Sequence, residues 1–433
     1  MRPVELTRST RRRFLRKALA AGGLVAAPSI VPAAALGLGA RPAASERIVV
    51  GFIGMGWFGT VDLKIFLQGT EAQTVAVCDV DAAKAAAAKE IADAHYGNRD
   101  CKIYHDFREM LDRDDIDAVS IATPDHWHAI PTIEACRRGK DVHIEKPLSL
   151  TIREGRAMVE AARRYGRVVQ TGSEARSNPS CRFACELVRS GRIGEVKEVY
   201  VSGVGGPSSD VVLPAEPVPD GLDWDFWLGP APWRPYNKAY HPVSWRGYYD
   251  FSGGGLTDWG AHHFDLTQWA LGTDDTGPVR IIPPDGKEHR FLTLVYASGV
   301  RVYHVLSGQP EVEMLGYVTA VGTKGRVGFG YGGLQKTDPP SLAHDPIGPN
   351  EVRLHPCPPG GHERGDFLTA VRTRARPGAD VEIGHRSVSV AHLAHIGYRL
   401  QRPLRWDPVK EEFPGDEEAN RMCARSMRAP WRL

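Results

Sequence analysis

The stretch GGGLTDWGAHHFD, Gly253 to Asp265, places three glycines, two acids and two adjacent histidines within thirteen residues. Three chemistries are open to it: a metal site, a capped helix start, or a proton relay. Asp258 and His262 are four residues apart, so on a helix they share a face about one turn from each other. His263 is rotated by roughly 100° from His262 and points elsewhere. Adjacent histidines on a helix therefore do not chelate together, and no metal is expected. Thr257 or Asp258 can cap a helix that begins here. A second candidate lies upstream in Glu145-Lys146-Pro147. Lys146 closes an apolar strand and precedes a proline, which is not the setting of a passive surface lysine.

These groups need a frame, and the first part of the chain describes one. The apolar run Ile48 to Ile53 reads as a buried strand. It enters Gly54-x-Gly56-x-x-Gly59, then a helical stretch, then a second apolar run from Val75 to Cys78. Asp79 follows twenty residues after Gly59. Gly54 permits the tight turn, Gly56 lets the backbone approach a pyrophosphate, and Gly59 allows close packing of helix on strand. The pyrophosphate sits at the helix N-terminus, where free N–H groups favour anions, and Met55, Trp57 and Phe58 complete the loop around it. Asp79 is placed to accept from the adenosine ribose. With Asp81 nearby and no arginine directly after it, Asp79 repels a 2′-phosphate, so NAD is expected rather than NADP.

The alternation continues. AAKAAAAKEIADAH reads as a helix, and DAVSIATPDHWHAIPTIEACRRGKDVHIEKPL as strand, turn, helix, strand. Strands alternating with helices imply a parallel, doubly wound sheet. Thr123 and Pro124 end one strand at its carboxyl edge, where such sheets bind ligands. His126 and His128 follow at the expected cofactor edge, and Glu145-Lys146-Pro147 ends the next strand.

A chain of 433 residues suggests two domains. Its composition, 42% hydrophobic and 24% charged, is that of a globular enzyme. Residues 1–45 hold eight Lys/Arg and one acid, Glu5, which leaves the remainder at 46 bases against 51 acids. A mildly acidic body argues against nucleic acid as a partner. The apolar run Ala18 to Ala27, broken by Gly22 and Gly23, is too short to span a bilayer. Arg11-Arg12 with Phe14-Leu15, followed by Ala33-Ala34-Ala35, resembles a twin-arginine signal with its cleavage site. A periplasmic or secreted protein is therefore expected. The seven cysteines include no CxxC pair and give neither a disulfide framework nor a zinc site.

The glycine loop, ATPDHWHA and EKPL together resemble the Gfo/Idh/MocA oxidoreductases, the family of glucose–fructose oxidoreductase and inositol dehydrogenases. DWDFWLGPAPWRPYNKAYHP, GGGLTDWGAHHFDLTQWALG and VEIGHRSVSVAHLAHIGYRLQRPLRWDP are similar to a bacterial subgroup of it rich in exported members. The resemblance implies three parts: a signal and linker over 1–45, an NAD-binding Rossmann domain over 46–167, and a substrate domain over 168–433. The last carries a large, mostly antiparallel open sheet with a C-terminal helix and tail. EVKEVYVSGVG, RFLTLVYASGVRVYHVL and GYVTAVGTKGRVGFG fit it, since period-two runs bounded by Gly and Ser read as antiparallel strands. Helices are expected in the stretch ending at Arg189, in ERGDFLTAVRTRA and in RSVSVAHLAHIGYRL, and a loop at DPPSLAHDPIGPN.

The resemblance also implies that Asp258, His262 and Lys146 meet over the nicotinamide, with Pro147 after a cis bond and Glu145 at the cofactor end. Oxidising a secondary alcohol removes a hydride from carbon and a proton from oxygen. His262 takes that proton, since an imidazole of pKa about 6.5 suits a base near neutrality. Asp258 orients the ring, and Lys146 stabilises the oxygen or is itself the base. Arg176, Trp245, Arg246 and His263 are expected on the sugar side. Trp224, Trp227 and Trp233 either stack on sugar or pack as core.

The implied activity is hydride transfer to or from a hydroxyl of a sugar, glycoside or cyclitol by a dimer or tetramer with tightly bound NAD. Free NAD is scarce outside the cytoplasm, so the cofactor travels with the folded protein and is reoxidised in place. Two other readings use the same scaffold. One is an NAD-dependent glycosidase working through transient C3 oxidation and elimination; the other is a redox-silent sugar-binding protein.

Overall fold

The computed structural model describes residues 42–242, 244–306, 312–356 and 362–433. The Arg11-Arg12 segment and Cys357 lie outside them. The described part of the unit ending at Arg47 is one turn of 3-10 helix, Ala44–Glu46. From Ile48 onward the chain forms a second unit.

That unit begins with six strands: β1 (Ile48–Ile53), β2 (Ala72–Cys78), β3 (Lys102–Tyr104), β4 (Ala118–Ile121), β5 (Asp141–Ile144) and β6 (Val169–Thr171). They pair in the order β3-β2-β1-β4-β5-β6, all parallel. Helices α1 (Trp57–Gln68), α2 (Ala82–Tyr96), α3 (Ala129–Arg137) and α4 (Ile152–Arg164) lie between strands. The apolar run of β1 follows from burial on both faces. Val50 and Phe52 join one cluster with Leu63 and Phe66 of α1, and Ile53 joins another with Ile130 and Ile133 of α3. The order reverses between β1 and β4, which opens a crevice at their carboxyl ends. Side chains set the helix starts: Asp81 accepts from Ala83 N at 3.1 Å, and Thr151 from Glu154 N at 3.2 Å.

The second sheet has eight strands: β7 (Val196–Val201), β8 (Arg280–Ile282), β9 (Leu292–Val295), β10 (Arg301–His304), β11 (Val318–Gly322), β12 (Arg326–Gly330), β13 (Gly333–Asp338) and β14 (Leu404–Arg405). Their order is β13-β12-β11-β7-β10-β9-β8-β14, antiparallel except where β10 joins β7. One face is covered by α5 (Pro179–Arg189), α7 (Gly260–Leu271) and α9 (Val381–Leu400). Leu187, Phe264 and Leu393 from those helices share a core with Val199, Val302 and Phe329 of the sheet. Two shorter elements matter below: helix α6 (Gly255–Asp258), and α8 (Glu363–Thr373).

Both architectures expected from the sequence are present. The six-strand sheet takes its last strand, β6, from beyond residue 167, because a three-residue run carries no pairing signal of its own. DPPSLAHDPIGPN holds one 3-10 turn, Pro340–His344. The six described cysteines are unpaired. No described helix is long and apolar enough to cross a membrane.

A buried charge cluster ties α8 to the first sheet. Arg364, 3% exposed, bonds Asp62 of α1, Glu174 and its neighbour Glu363, and lies 3.4 Å from Glu145. His143 of β5 contacts Glu363 through Nε2 and Ser120 at 3.0 Å through Nδ1. Removing the cation leaves carboxylates buried without it. Arg364→Met is therefore expected to cost about 3–5 kcal/mol. A lower urea midpoint at unchanged slope reads that loss.

Candidate active site

The glycine loop sits at the reversal point. Gly54 has φ +85°, in the left-handed region glycine favours. A Cβ on Gly59 would fall 1.9 Å from Gly54 O, so only glycine lets α1 start against the turn. A Cβ on Gly56 would meet nothing within 4 Å. That side of the loop faces a cleft of about 470 Å³ lined by Gly54, Met55, Gly56, Trp57 and Phe58. Asp79, at the end of β2, accepts from Met55 N at 2.5 Å and from Asp81 N at 2.8 Å, so its carboxylate also holds the loop. Burial raises its pKa against those N–H groups and Lys84.

Across the cleft lie Thr123, Pro124, Asp125, Glu145 and Lys146 from the ends of β4 and β5. Thr123 Oγ1 is buried without a hydrogen-bond partner. An open glycine turn, a carboxylate at the end of β2 and an unsatisfied hydroxyl opposite fit a nicotinamide dinucleotide. The Lys146–Pro147 peptide is cis. Glu145 is 5% exposed, and burial raises its carboxyl to about 8, Asp62 adding to the rise and Arg364 opposing it.

The reacting end is built around Lys146. Its Nζ lies 2.6 Å from Asp258 Oδ1 and 5.5 Å from the Phe58 ring centroid. Arg246 Nε is 3.4 Å from the same oxygen, and its guanidinium stacks 4.2 Å from the Trp245 ring. Trp245 and Arg246 line the cleft, as expected of substrate-side residues. Asp258 therefore holds Lys146 rather than orienting His262. The helix expected through both is broken: α6 ends at Asp258 and α7 begins at Gly260, so the two side chains do not share a regular face. Neither Thr257 nor Asp258 caps α7, whose N-cap is Trp259 without a side-chain bond. His262 packs against Tyr331 at 4.7 Å, with Nδ1 buried and unpartnered. Burial, then Lys146, then His263 hold its pKa well below 6.5, so the ring is neutral at neutrality.

Four expected contacts are not made. Arg176, 6% exposed, is bound to both carboxylate oxygens of Asp265 at 2.9 Å and to Asp274 at 2.7 Å; it anchors α7 and faces no sugar. His263 lies 2.9 Å from Ser202 O and stacks on Tyr317, away from the cleft. His126 lies 3.0 Å from Trp227 O within an aromatic cluster. His128 spans the carbonyls of Pro147 (2.7 Å) and Thr123 (2.8 Å), bracing two strand ends behind the cofactor edge. Trp224 and Trp227 stack at 4.6 Å in a buried cluster, Trp227 also lining the cleft, and Trp233 is 67% exposed.

Sequence reasoning missed Asp125 and the roof over the adenosine side. Ala82 N donates to Gly221 O and Asp223 N to Val80 O, each at 3.0 Å, while His241 Nε2 lies 2.7 Å from Lys84 Nζ. The Trp-rich run signalled a packed element, but nothing in it named the distant partner.

Two glycine substitutions separate folding from binding. Gly59→Ala drives a Cβ into a carbonyl and is expected to cost about 1–3 kcal/mol or more. Gly56→Val fills only the cleft and should leave the melting temperature unchanged while abolishing the thermal shift that added NAD gives the parent. Differential scanning fluorimetry with and without NAD reads both.

The description "Oxidoreductase family, NAD-binding Rossmann fold" matches residues 48–173, and "Oxidoreductase family, C-terminal alpha/beta domain" matches 184–433. The chain belongs to the Gfo/Idh/MocA oxidoreductase family. It is 31% identical over 207 residues to an alpha-N-acetylgalactosaminidase of Shewanella oneidensis, covering 43% of this chain and 44% of that one. It is 30% identical over 144 residues to a 2,7-anhydro-N-acetylneuraminate hydratase of Mediterraneibacter gnavus, covering 33% and 36%. The matches thus span less than half of either relative. Among solved structures, the WlbA dehydrogenase of Bordetella pertussis in complex with NADH and UDP-GlcNAcA superposes with TM-score 0.59 at 19% identity, over 83% of this chain and 99% of that one. An aldose-aldose oxidoreductase of Caulobacter crescentus gives TM-score 0.58 at 20% identity, over 83% and 99%. Both share the fold.

Proposed function

We propose that this protein is an NAD-dependent oxidoreductase that moves a hydride to or from a ring hydroxyl of a sugar, glycoside or cyclitol. The observation that carries the reading is the Lys146–Asp258 pair, 2.6 Å apart, with Lys146 lining the same cleft as the glycine loop. The dinucleotide supplies the hydride acceptor when bound. Lys146, positioned by Asp258, donates to the substrate oxygen and stabilises negative charge as its proton leaves. His262 is neutral with a free Nδ1, and it accepts that proton. Arg246 and Trp245 bound the sugar side, offering guanidinium donors and an indole face. Asp79, at the end of β2 with Asp81 beside it, favours NAD over NADP.

The twin-arginine-like segment supports a location outside the cytoplasm, with the cofactor bound before export. Self-association into a dimer or tetramer uses the face of the eight-stranded sheet opposite α5, α7 and α9, where Tyr200 and Tyr303 stack at 4.9 Å. A second reading, the NAD-dependent glycosidase, is favoured by the galactosaminidase and hydratase among the relatives. Both readings need the hydroxyl oxidised first, so one experiment precedes them.

The full chain is purified without added nucleotide, denatured, and assayed for NAD(H) and NADP(H); near-stoichiometric NAD is expected. A panel of sugars and glycosides is then screened for absorbance change at about 340 nm, the band of the reduced nicotinamide. Lys146→Met should retain the NAD and lose the reaction by at least about 10²-fold. Unchanged turnover in that variant would move the protein to the redox-silent sugar-binding reading.

A further inference from the structure

The relay accounts for one proton, that of the hydroxyl oxidised, yet three acids line the same cleft: Asp79 is engaged by the N–H groups of Met55 and Asp81, and Glu145 faces Arg364, which leaves Asp125. Asp125 follows Thr123-Pro124 at the carboxyl edge of β4, is 2% exposed, and shares the cleft with Lys146, Trp245 and Arg246. Ser252, from the loop before α6, hydrogen-bonds its carboxyl. The charges that face it are Arg246, Asp258 and Lys146, with Glu154 on α4 behind. His126 and His128, on its own turn, are engaged with backbone carbonyls and held neutral by burial. Asp125 and Asp258 thus share Lys146 and Arg246. Asp258 holds Lys146 at 2.6 Å and Arg246 at 3.4 Å, so Asp125 is the carboxyl placed to carry a proton. Its environment agrees: burial raises its pKa to about 7, with Arg246, Ser252 and Lys146 opposing the rise and Asp258 adding to it. A carboxylic acid that loses its proton near neutrality is matched to general-acid work there.

We infer that Asp125 is a second acid–base residue of this site, delivering a proton to the glycosidic oxygen of a pyranoside oxidised two ring carbons away. The inference rests on the redox reading above. When the ring hydroxyl becomes a carbonyl, its hydride goes to the nicotinamide dinucleotide and its proton to the relay, which returns it to solvent. The neighbouring carbon is then acidic. The relay takes its proton, the electron pair forms the carbon–carbon double bond, and the bond to the glycosidic oxygen breaks. That oxygen leaves as an alcohol with the proton of Asp125. Water adds to the same carbon as the Asp125 carboxylate takes one of its protons, and the relay reprotonates the neighbouring carbon. Return of the hydride, with a proton on the oxygen, restores the hydroxyl. The sum is hydrolysis with no net change in the dinucleotide.

The test uses the full chain with NAD, the Asp125→Asn variant, and methyl and p-nitrophenyl pyranosides of the same hexoses. Methoxide needs a proton to leave; p-nitrophenolate does not. The melting temperature of Asp125→Asn should match the parent's, which shows that the variant folds. Cleavage of methyl glycosides should fall by at least about 10²-fold while p-nitrophenyl cleavage falls far less. The parent's methyl-glycoside rate should fall as pH rises past about 7, and the variant's residual rate should lack that limb. A protonated-carboxyl infrared band in the parent-minus-Asp125→Asn difference spectrum, titrating at about 7, is the readout independent of turnover; the bands of Glu145 and Glu154, raised to about 8 and about 7, cancel in that difference. Equal losses on both glycosides would overturn the proton-donor role. A parent that reduces its NAD with sugars but cleaves no glycoside would also overturn it, leaving the redox reading standing. A parent that does neither overturns both.

Discussion

A guanidinium that keeps its charge at any accessible pH lies beneath the site. Arg364 belongs to α8, more than two hundred residues beyond the strand ends it supports, yet it bonds Asp62 at the start of the fold and approaches Glu145 next to Lys146. Asp62, Glu145, Glu174 and Glu363 cluster around it with His143 as the second base. Four carboxylates against two cations would leave a buried excess of negative charge, and desolvation makes such an excess expensive. The raised pKa of Glu145, about 8, relieves it, since a protonated Glu145 brings the cluster closer to neutral. The peptide N–H of Lys146 lies 3.3 Å from Glu145 Oε2, so this balance is coupled to the backbone that aims the lysine.

The same economy of charge shapes the cleft. Burial keeps His126, His128, His262 and His263 below the pH at which imidazole ordinarily charges. Fixed charge near the reacting end therefore comes from Lys146 and Arg246 opposite Asp258, which pair with one another. A positive cluster with one carboxylate suits a reaction whose oxygen becomes negative. A proton acceptor that is neutral, such as His262, takes a proton without first having to lose one. A neutral acid, such as Asp125, has a proton to give without adding a second uncompensated carboxylate beside Asp258.

What was legible in the sequence was local in the chain. The Gly54 turn, the acid at Asp79 and the strand ends at Thr123 and Lys146 are short-range patterns, and backbone geometry alone demands them. The period-two runs announced β7, β10, β11 and β12 for the same reason. What was not legible depends on residues far apart. Arg176 reads as a cation near a site, but Asp265 and Asp274 claim it across roughly ninety residues. His263 was expected both to point away from His262 and to line the sugar; the carbonyl of Ser202, just past the end of β7, decides for the first. The D-x-x-x-H spacing implied a face shared by Asp258 and His262, and the turn at Trp259 separates them. Helical spacing constrains side chains only while the helix continues.

Residues 221–223 roof the turn after β2 through backbone pairing. Residues Gly221 and Asp223 bond backbone to backbone with Ala82 and Val80, and Asp81 pairs with Leu222 as an isolated bridge. Two main-chain hydrogen bonds, closing that bridge, are thus set beside Asp79. Behind them Trp224, Trp227, Tyr236, Tyr240 and Phe251 form a buried cluster, so the roof is a packed element in its own right. Trp57, 73% exposed, borders the same cleft beside the glycine loop. The two flanks of the cleft therefore differ: backbone pairing backs the turn at Asp79, while an exposed indole borders the loop.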